Sequence, residues 1–177
     1  MTDLAGQSIA GLIDDRVPVV ADWPQPGVAF RDVNPLLADP AAFGAVVEAL
    51  ADAVGPVDAV LGIEARGFVF GTAVAMRRGV GFVPVRKAGK LPGPTLTQTY
   101  DLEYGAATVE LRDGALAPGQ RVAVIDDVLA TGGTLAAALT LVCRAGAEVA
   151  HTAVVIEIEA LGGRSRVSAP LTALRTY

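Results

Sequence analysis

Residues 121–145 constrain the fold of this chain more than any other stretch. Arg121–Ile125 (RVAVI) is an apolar run with the length and composition of a buried strand. It leads into Asp126-Asp127, then Val128-Leu129, then the loop Ala130-Thr131-Gly132-Gly133-Thr134. From Thr134 to about Ala145 the pattern turns helical, with Leu135, Ala138, Leu139, Val142 and Cys143 on one apolar face that predicts a core position for each. Gly146 closes that helix.

The same alternation runs along the rest of the chain. A short first helix is predicted over Asp3 to Ile13, and the proline-containing segment Asp22 to Leu37 reads as irregular. Asp39 and Pro40 then supply an N-cap and a first helical residue, followed by Phe43, Val46, Val47, Leu50 and Val54 at helical spacing as far as Gly55-Pro56. Asp58–Ile63 reads as a strand, Arg66–Arg78 as a helix and Gly81–Val85 as a strand. Two more strands fall within Thr97–Leu111 around Gly105, and a last one over Val149–Ile158. Strands alternating with helices predict an α/β fold, a mostly parallel twisted sheet with helices on both faces. In such sheets ligands bind at the carboxyl ends of the strands.

The chain has 177 residues, enough for one domain spanning 1–177 and for a core that needs no disulfide or structural metal. Cys143 is the single cysteine, which excludes an intramolecular disulfide. The formal net charge of −5 argues against a nucleic-acid partner, although local patches still decide whether anions bind. The N-terminal residues carry acids where a signal peptide would carry bases, and no apolar run approaches the ~20 residues of a membrane span. A cytoplasmic protein without a membrane partner is expected.

The acid pair and the glycine loop ask for different parts of one ligand. Gly132 and Gly133 let the backbone approach a ligand closely. The helix N-terminus offers unpaired N–H groups to an anion, and Thr131 and Thr134 add hydroxyls. That part suits a phosphate. Two adjacent carboxylates would repel a bare phosphate, but they accept from a vicinal diol or share a divalent cation with one. Phosphate plus diol describes a ribose 5-phosphate. The lysine of a nucleoside triphosphate P-loop is missing. His151 sits at a strand start and takes no role.

The full pattern, strand, acid pair and Thr-Gly-Gly-Thr, resembles the phosphoribosyl pyrophosphate signature of the type I phosphoribosyltransferases. Three further segments are similar to the adenine phosphoribosyltransferases among them. Pro26-Gly27-Val28-Ala29-Phe30-Arg31-Asp32 with Pro35-Leu36-Leu37 resembles their base-binding segment, here about 22–37. Gly62-Ile63-Glu64-Ala65-Arg66-Gly67-Phe68 resembles their pyrophosphate loop. Arg86–Thr95 and Tyr100–Gly105 resemble their small mobile hood, here about 86–111. Trp23 stands where Phe is common and Asn34 where Thr is common.

The resemblance implies roles. Arg66, Lys87 and Lys90 would contact pyrophosphate, with Tyr104 helping to close the hood. Asp126 and Asp127 would take the ribose hydroxyls, and Ala130, Thr131, Gly132, Gly133 and Thr134 the 5-phosphate. Glu103 would assist proton movement at the purine. The Ala29 carbonyl and Arg31 amide would read the base beside Phe30, which is expected to pack in the core close by. The Arg31 and Asp32 side chains are expected either to form a local ion pair or to serve the pocket. Mg²⁺ would be bound through the substrate near Asp126 and Asp127 rather than by the protein alone. The implied substrates are adenine and phosphoribosyl pyrophosphate, and the implied assembly is a homodimer. A transferase for another base shares the phosphate loop, but the hood and the Phe-Arg-Asp segment favour adenine. A regulator that only senses phosphoribosyl pyrophosphate would need a DNA-binding unit of ~60 residues and a basic face.

Overall fold

The computed structural model describes residues 6–101 and 105–177. Glu103 and Tyr104, and the start of the helix expected from Asp3, lie outside the described residues. The helix begins later than expected: residues 6–8 are not helical, and α1 runs Ile9–Arg16, past the expected end at Ile13, capped by Ser8, whose Oγ accepts from the Gly11 amide at 3.1 Å.

The stretch expected to be irregular contains structure. Within it, β2 (Ala29–Arg31) pairs antiparallel with β1 (Val19–Ala21), which lies just before the stretch, and α2 (Asn34–Ala38) follows. Three-residue strands carry too few alternations for a period of two to be read. α3 (Pro40–Val54) begins as the sequence requires, with Asp39 Oδ1 accepting from the Ala41 and Ala42 amides at 3.0 and 3.1 Å.

The remaining elements are β3 (Ala59–Ile63), α4 (Gly67–Arg78), β4 (Gly81–Lys87), β5 (Thr95–Asp101), β6 (Ala106–Arg112), β7 (Arg121–Leu129), α5 (Gly133–Arg144), β8 (Glu148–Glu157) and β9 (Leu171–Thr176). Among the described residues they build a seven-stranded sheet ordered β5-β6-β4-β3-β7-β8-β9. β4, β3, β7, β8 and β9 are parallel, and β5 and β6 add an antiparallel edge. β9 has no expected counterpart; its LTALRT sequence mixes apolar and polar residues without a clear stripe.

Side chains alternate across this sheet as the pleat demands. Val60, Ala123 and Ile125 face α1 to α4, while Leu61, Val122 and Val124 face α5 and the inner side of β6. Cys143, expected in the core, is exposed. Leu139 and Val142 are buried on α5, and position 143 lies just past the edge of that arc, beside Arg144.

Candidate active site

The chain leaves β3 through α4 toward β4 and leaves β7 through α5 toward β8, so the winding reverses between β3 and β7. Ligands of open α/β sheets bind at such a point. β7 runs past its neighbour there: its pairing with β3 ends at Ile125, while its pairing with β8 continues to Leu129. Asp126 and Asp127 are therefore strand residues on the overhang, not loop residues. Asp127 is buried, and its Oδ2 lies 2.7 Å from Arg66 Nε. Asp126 Oδ1 accepts from the Asp127 amide at 2.9 Å.

Burial pushes both carboxyls above the usual range, and the Asp127 charge raises Asp126 further. The α4 N-terminus abuts the pair. A Cβ on Gly67 would lie 2.8 Å from Asp126 Oδ1 and 2.9 Å from the Ile125 carbonyl, so only glycine permits this approach. The positive end of the α4 dipole and the Arg66 guanidinium thus face two carboxylates that lack enough partners. Such a donor set suits hydroxyls or a cation shared with them.

The next turn of chain is the glycine loop. The first intrahelical bond of α5 runs from Ala136 N–H to the Gly132 carbonyl at 2.9 Å, so the amides of Gly133, Thr134 and Leu135 precede the ladder and are available to an anion. Gly132 has φ +80°, and a Cβ there would strike the Gly163 carbonyl. Gly163 in turn packs against the Ala130 carbonyl and the Gly132 amide. Glu157, buried at the end of β8, fixes this second loop by accepting from Arg164 Nε at 2.9 Å. From the other side Tyr100 of β5 reaches the loop: its hydroxyl accepts from Thr134 Oγ1 at 2.8 Å and its ring leaves no room for a side chain on Gly133.

The basic run divides into different roles. Arg86 Nε donates to Glu64 Oε2 at 3.3 Å, the Lys87 amide to the same oxygen at 2.9 Å, and Lys90 Nζ to Glu64 Oε1 at 2.9 Å. Buried Glu110 accepts from the Lys90 and Leu91 amides at 2.8 and 2.7 Å. Two carboxylates therefore pin the turn between β4 and β5 to the sheet. Among the described residues no carboxylate pairs with the exposed Lys87 ammonium, whereas Lys90 is engaged by Glu64. Sequence reasoning assigned no role to Glu64, Tyr100, Glu110, Glu157 or Gly163. The detectable signal was Glu110, an acid between Val109 and Leu111 in an apolar strand, where a buried charge requires partners.

Burial alone would raise the Glu64 carboxyl, but the bonds from Lys90, the Lys87 amide and Arg86 hold it at about 2 against an ordinary 4.5. A depressed folded-state value means this stabilisation is fully present above pH 4.5 and is lost as the pH falls through about 2. Glu64→Gln should therefore lower the melting temperature most near neutrality, with the deficit shrinking toward pH 2. Thermal unfolding across that range checks it; a deficit independent of pH contradicts it.

A cavity of about 660 Å³ opens beside the acid pair, lined by Val20, Trp23, Phe30, Asp32, Asn34, Ala65 and Arg66. Phe30 lines it half-buried instead of joining the core. Its ring meets Trp23 at 4.3 Å between centroids and has the Arg66 guanidinium 5.1 Å away. The Arg31 and Asp32 side chains do not pair. Arg31 stacks on Tyr177, and Asp32 accepts from the Asn34 amide at 2.9 Å.

The register of β2 decides which backbone groups are free. The Asp32 amide donates to the Pro18 carbonyl at 3.0 Å, so residues 30 and 32 turn their backbone groups toward β1. The Ala29 carbonyl and the Arg31 N–H consequently point outward from the other edge, an acceptor followed by a donor with no strand beside them among the described residues.

Residues 33–173 match the family model of the phosphoribosyl transferase domain. The adenine phosphoribosyltransferase of Streptomyces coelicolor is 56% identical over 99% of this chain and 100% of its own length. That of Frankia casuarinae is 53% identical over 94% of this chain and 89% of its own. The crystal structure of adenine phosphoribosyltransferase from Rhodothermus marinus superposes with a TM-score of 0.91 at 41% identity, covering 96% of this chain and 98% of that one. The enzyme of Saccharomyces cerevisiae, complexed with an imino-altritol bisphosphate and adenine, superposes with a TM-score of 0.89 at 38% identity, covering 94% and 98%. Matched by the family model over most of its length and by relatives more than half identical across nearly the whole chain, this chain belongs to the adenine phosphoribosyltransferase family.

Proposed function

We propose that the chain transfers the 5-phosphoribosyl group of phosphoribosyl pyrophosphate to adenine, giving AMP and pyrophosphate, in purine salvage. The free acceptor–donor edge of β2 carries this reading. Adenine presents a 6-amino donor beside the N1 acceptor, complementary to the Ala29 carbonyl and the Arg31 amide. A 6-oxopurine presents the reverse and would leave both backbone groups mismatched.

Asp126 and Asp127 take the ribose hydroxyls, and Ala130 to Thr134 hold the 5-phosphate by loop amides and hydroxyls. Arg66 and Lys87 engage the pyrophosphate, with Lys90 available if it leaves Glu64. Mg²⁺ fits this donor set, two adjacent carboxylates completed by substrate oxygens, and would supply charge neutralisation at the pyrophosphate when bound. The bond from C1′ to the pyrophosphate oxygen breaks as N9 of adenine bonds to C1′, and the proton displaced from the purine passes by way of Glu103 near N7. The positions of these groups and their charges carry catalysis, without a covalent enzyme intermediate. Closure of the hood (about 86–111) with Tyr104 keeps water from the cationic C1′. The chain acts as one domain, about 22–37 serving the base, as a homodimer in the cytoplasm. No helix among the described residues is long and apolar enough to cross a membrane.

Adenine, phosphoribosyl pyrophosphate and Mg²⁺ mixed with the protein should yield AMP and pyrophosphate one for one. Folded protein that binds phosphoribosyl pyrophosphate and yields neither would mark a sensor instead. Glu103→Ala should lower kcat by roughly 10²-fold, the usual worth of a positioned acid–base group, with the melting temperature unchanged. Unaltered turnover would remove Glu103 from the chemistry.

A further inference from the structure

β2 carries the base-reading edge, yet little in its own strand pairing fixes where that edge lies. It is three residues long and among the described residues pairs only with β1, and an isolated two-stranded ribbon is marginally stable. A side-chain cluster outside the cavity supplies the missing anchor. The Arg31 guanidinium lies 3.4 Å from the centre of the Tyr177 ring, and that of Arg175 lies 4.7 Å from it. Tyr177 Oη donates to Asp14 Oδ1 at 2.7 Å, and Arg175 Nε donates to the same oxygen at 2.8 Å. The Tyr177 backbone is held as well: its N–H donates to the Glu157 carbonyl and its carbonyl accepts from the Glu159 amide, both at 2.9 Å. Arg31 forms no ion pair among the described residues; its charge lies against the ring and is attracted at longer range by Asp14, the carboxylate that holds the ring.

We infer that Tyr177 is a positioning residue for base recognition: its ring, fastened to α1 and β8, holds Arg31 and thereby sets the Ala29–Arg31 edge at the spacing adenine needs. The inference rests on the reading of that edge given above. Charge and ring attract when a guanidinium stacks face-on, and the stack immobilises the strand through its own side chain. A donor displaced by about 1 Å can cost roughly two orders of magnitude, so a loosened edge should register in adenine binding alone.

The test uses steady-state kinetics of the full chain with both substrates varied. Tyr177→Ala should raise the KM for adenine about tenfold, with kcat and the KM for phosphoribosyl pyrophosphate changed less than about twofold. Tyr177→Phe keeps the ring and should restore most of the adenine affinity. Arg31→Met should match Tyr177→Ala, and the double variant should be no worse than either, because both remove one contact. Should Tyr177→Ala fail to fold, Arg31→Met and Tyr177→Phe decide the matter. An adenine KM unmoved in Arg31→Met, equal rises in both KM values, or additive effects in the double variant would overturn the role of Tyr177 while leaving the edge reading intact. A wild-type protein that uses hypoxanthine as readily as adenine would overturn the edge reading, and this inference with it.

Discussion

Asp127→Asn lowers kcat/KM for phosphoribosyl pyrophosphate by at least about 10²-fold while leaving the melting temperature unchanged or slightly raised. The asparagine has nearly the shape of the aspartate, so the packing of the buried overhang survives. What disappears is a charge. A hydrogen bond to a charged group is worth roughly 1.5–3 kcal/mol, and about 1.4 kcal/mol is tenfold, so losing two such bonds to a diol gives roughly 10²- to 10⁴-fold. Stability moves differently because the carboxyl is held above its ordinary value by burial, which its ionic contact with Arg66 only partly offsets. A group whose folded-state value is raised contributes stability fully present below its ordinary 3.8 and lost as the pH rises through the folded value. Near neutrality the charge is therefore a cost to the ligand-free protein, and removing it relieves repulsion with Asp126. Kinetics beside thermal unfolding separate the two effects. Activity and stability lost together would make Asp127 a structural residue.

Gly132→Ala lowers affinity for phosphoribosyl pyrophosphate by roughly 10²- to 10⁴-fold, the worth of about two charge-assisted amide bonds. Two constraints act at once. A side chain at φ +80° is strained, and the new Cβ meets the Gly163 carbonyl, which Arg164 and Glu157 prevent from retreating. The loop must move, and the Gly133, Thr134 and Leu135 amides then lose their common focus. Gly114→Ala separates these causes, because Gly114 has φ +72° but open space around it. It should lose about 1 kcal/mol of stability from strain alone and keep its affinity. Titration with phosphoribosyl pyrophosphate checks both variants; full affinity in Gly132→Ala would move the phosphate site elsewhere.

How legible these features were in the sequence depended on how local their causes are. The β7–loop–α5 unit was readable because each part announces itself: an apolar run, an acid pair, glycines, a helical stripe. The helix capped by Asp39 and followed by Pro40 was readable for the same reason. The hairpin of β1 and β2 was not, because its strands are too short for periodicity and its register depends on pairing. That register is what exposes the Ala29 carbonyl and the Arg31 amide; the sequence alone reached these atoms only through family resemblance. Cys143 was misplaced because helical periodicity gives the direction of a face but not its width. Glu64 and Glu110 were missed because their partners lie about twenty residues away, several of them backbone amides that no motif records. Lys90 looked like a substrate contact while its charge was counted alone, and Glu64 changes that count.

The decisive measurement is kcat/KM with adenine and with hypoxanthine, at saturating phosphoribosyl pyrophosphate and Mg²⁺, followed as pyrophosphate release. An edge that offers the Ala29 carbonyl and then the Arg31 amide predicts a preference for adenine of about 10⁴-fold or more, because hypoxanthine sets acceptor against acceptor and donor against donor. Comparable values for the two bases would contradict the account: the transfer chemistry would stand, but the free edge of β2 would not be what reads the base.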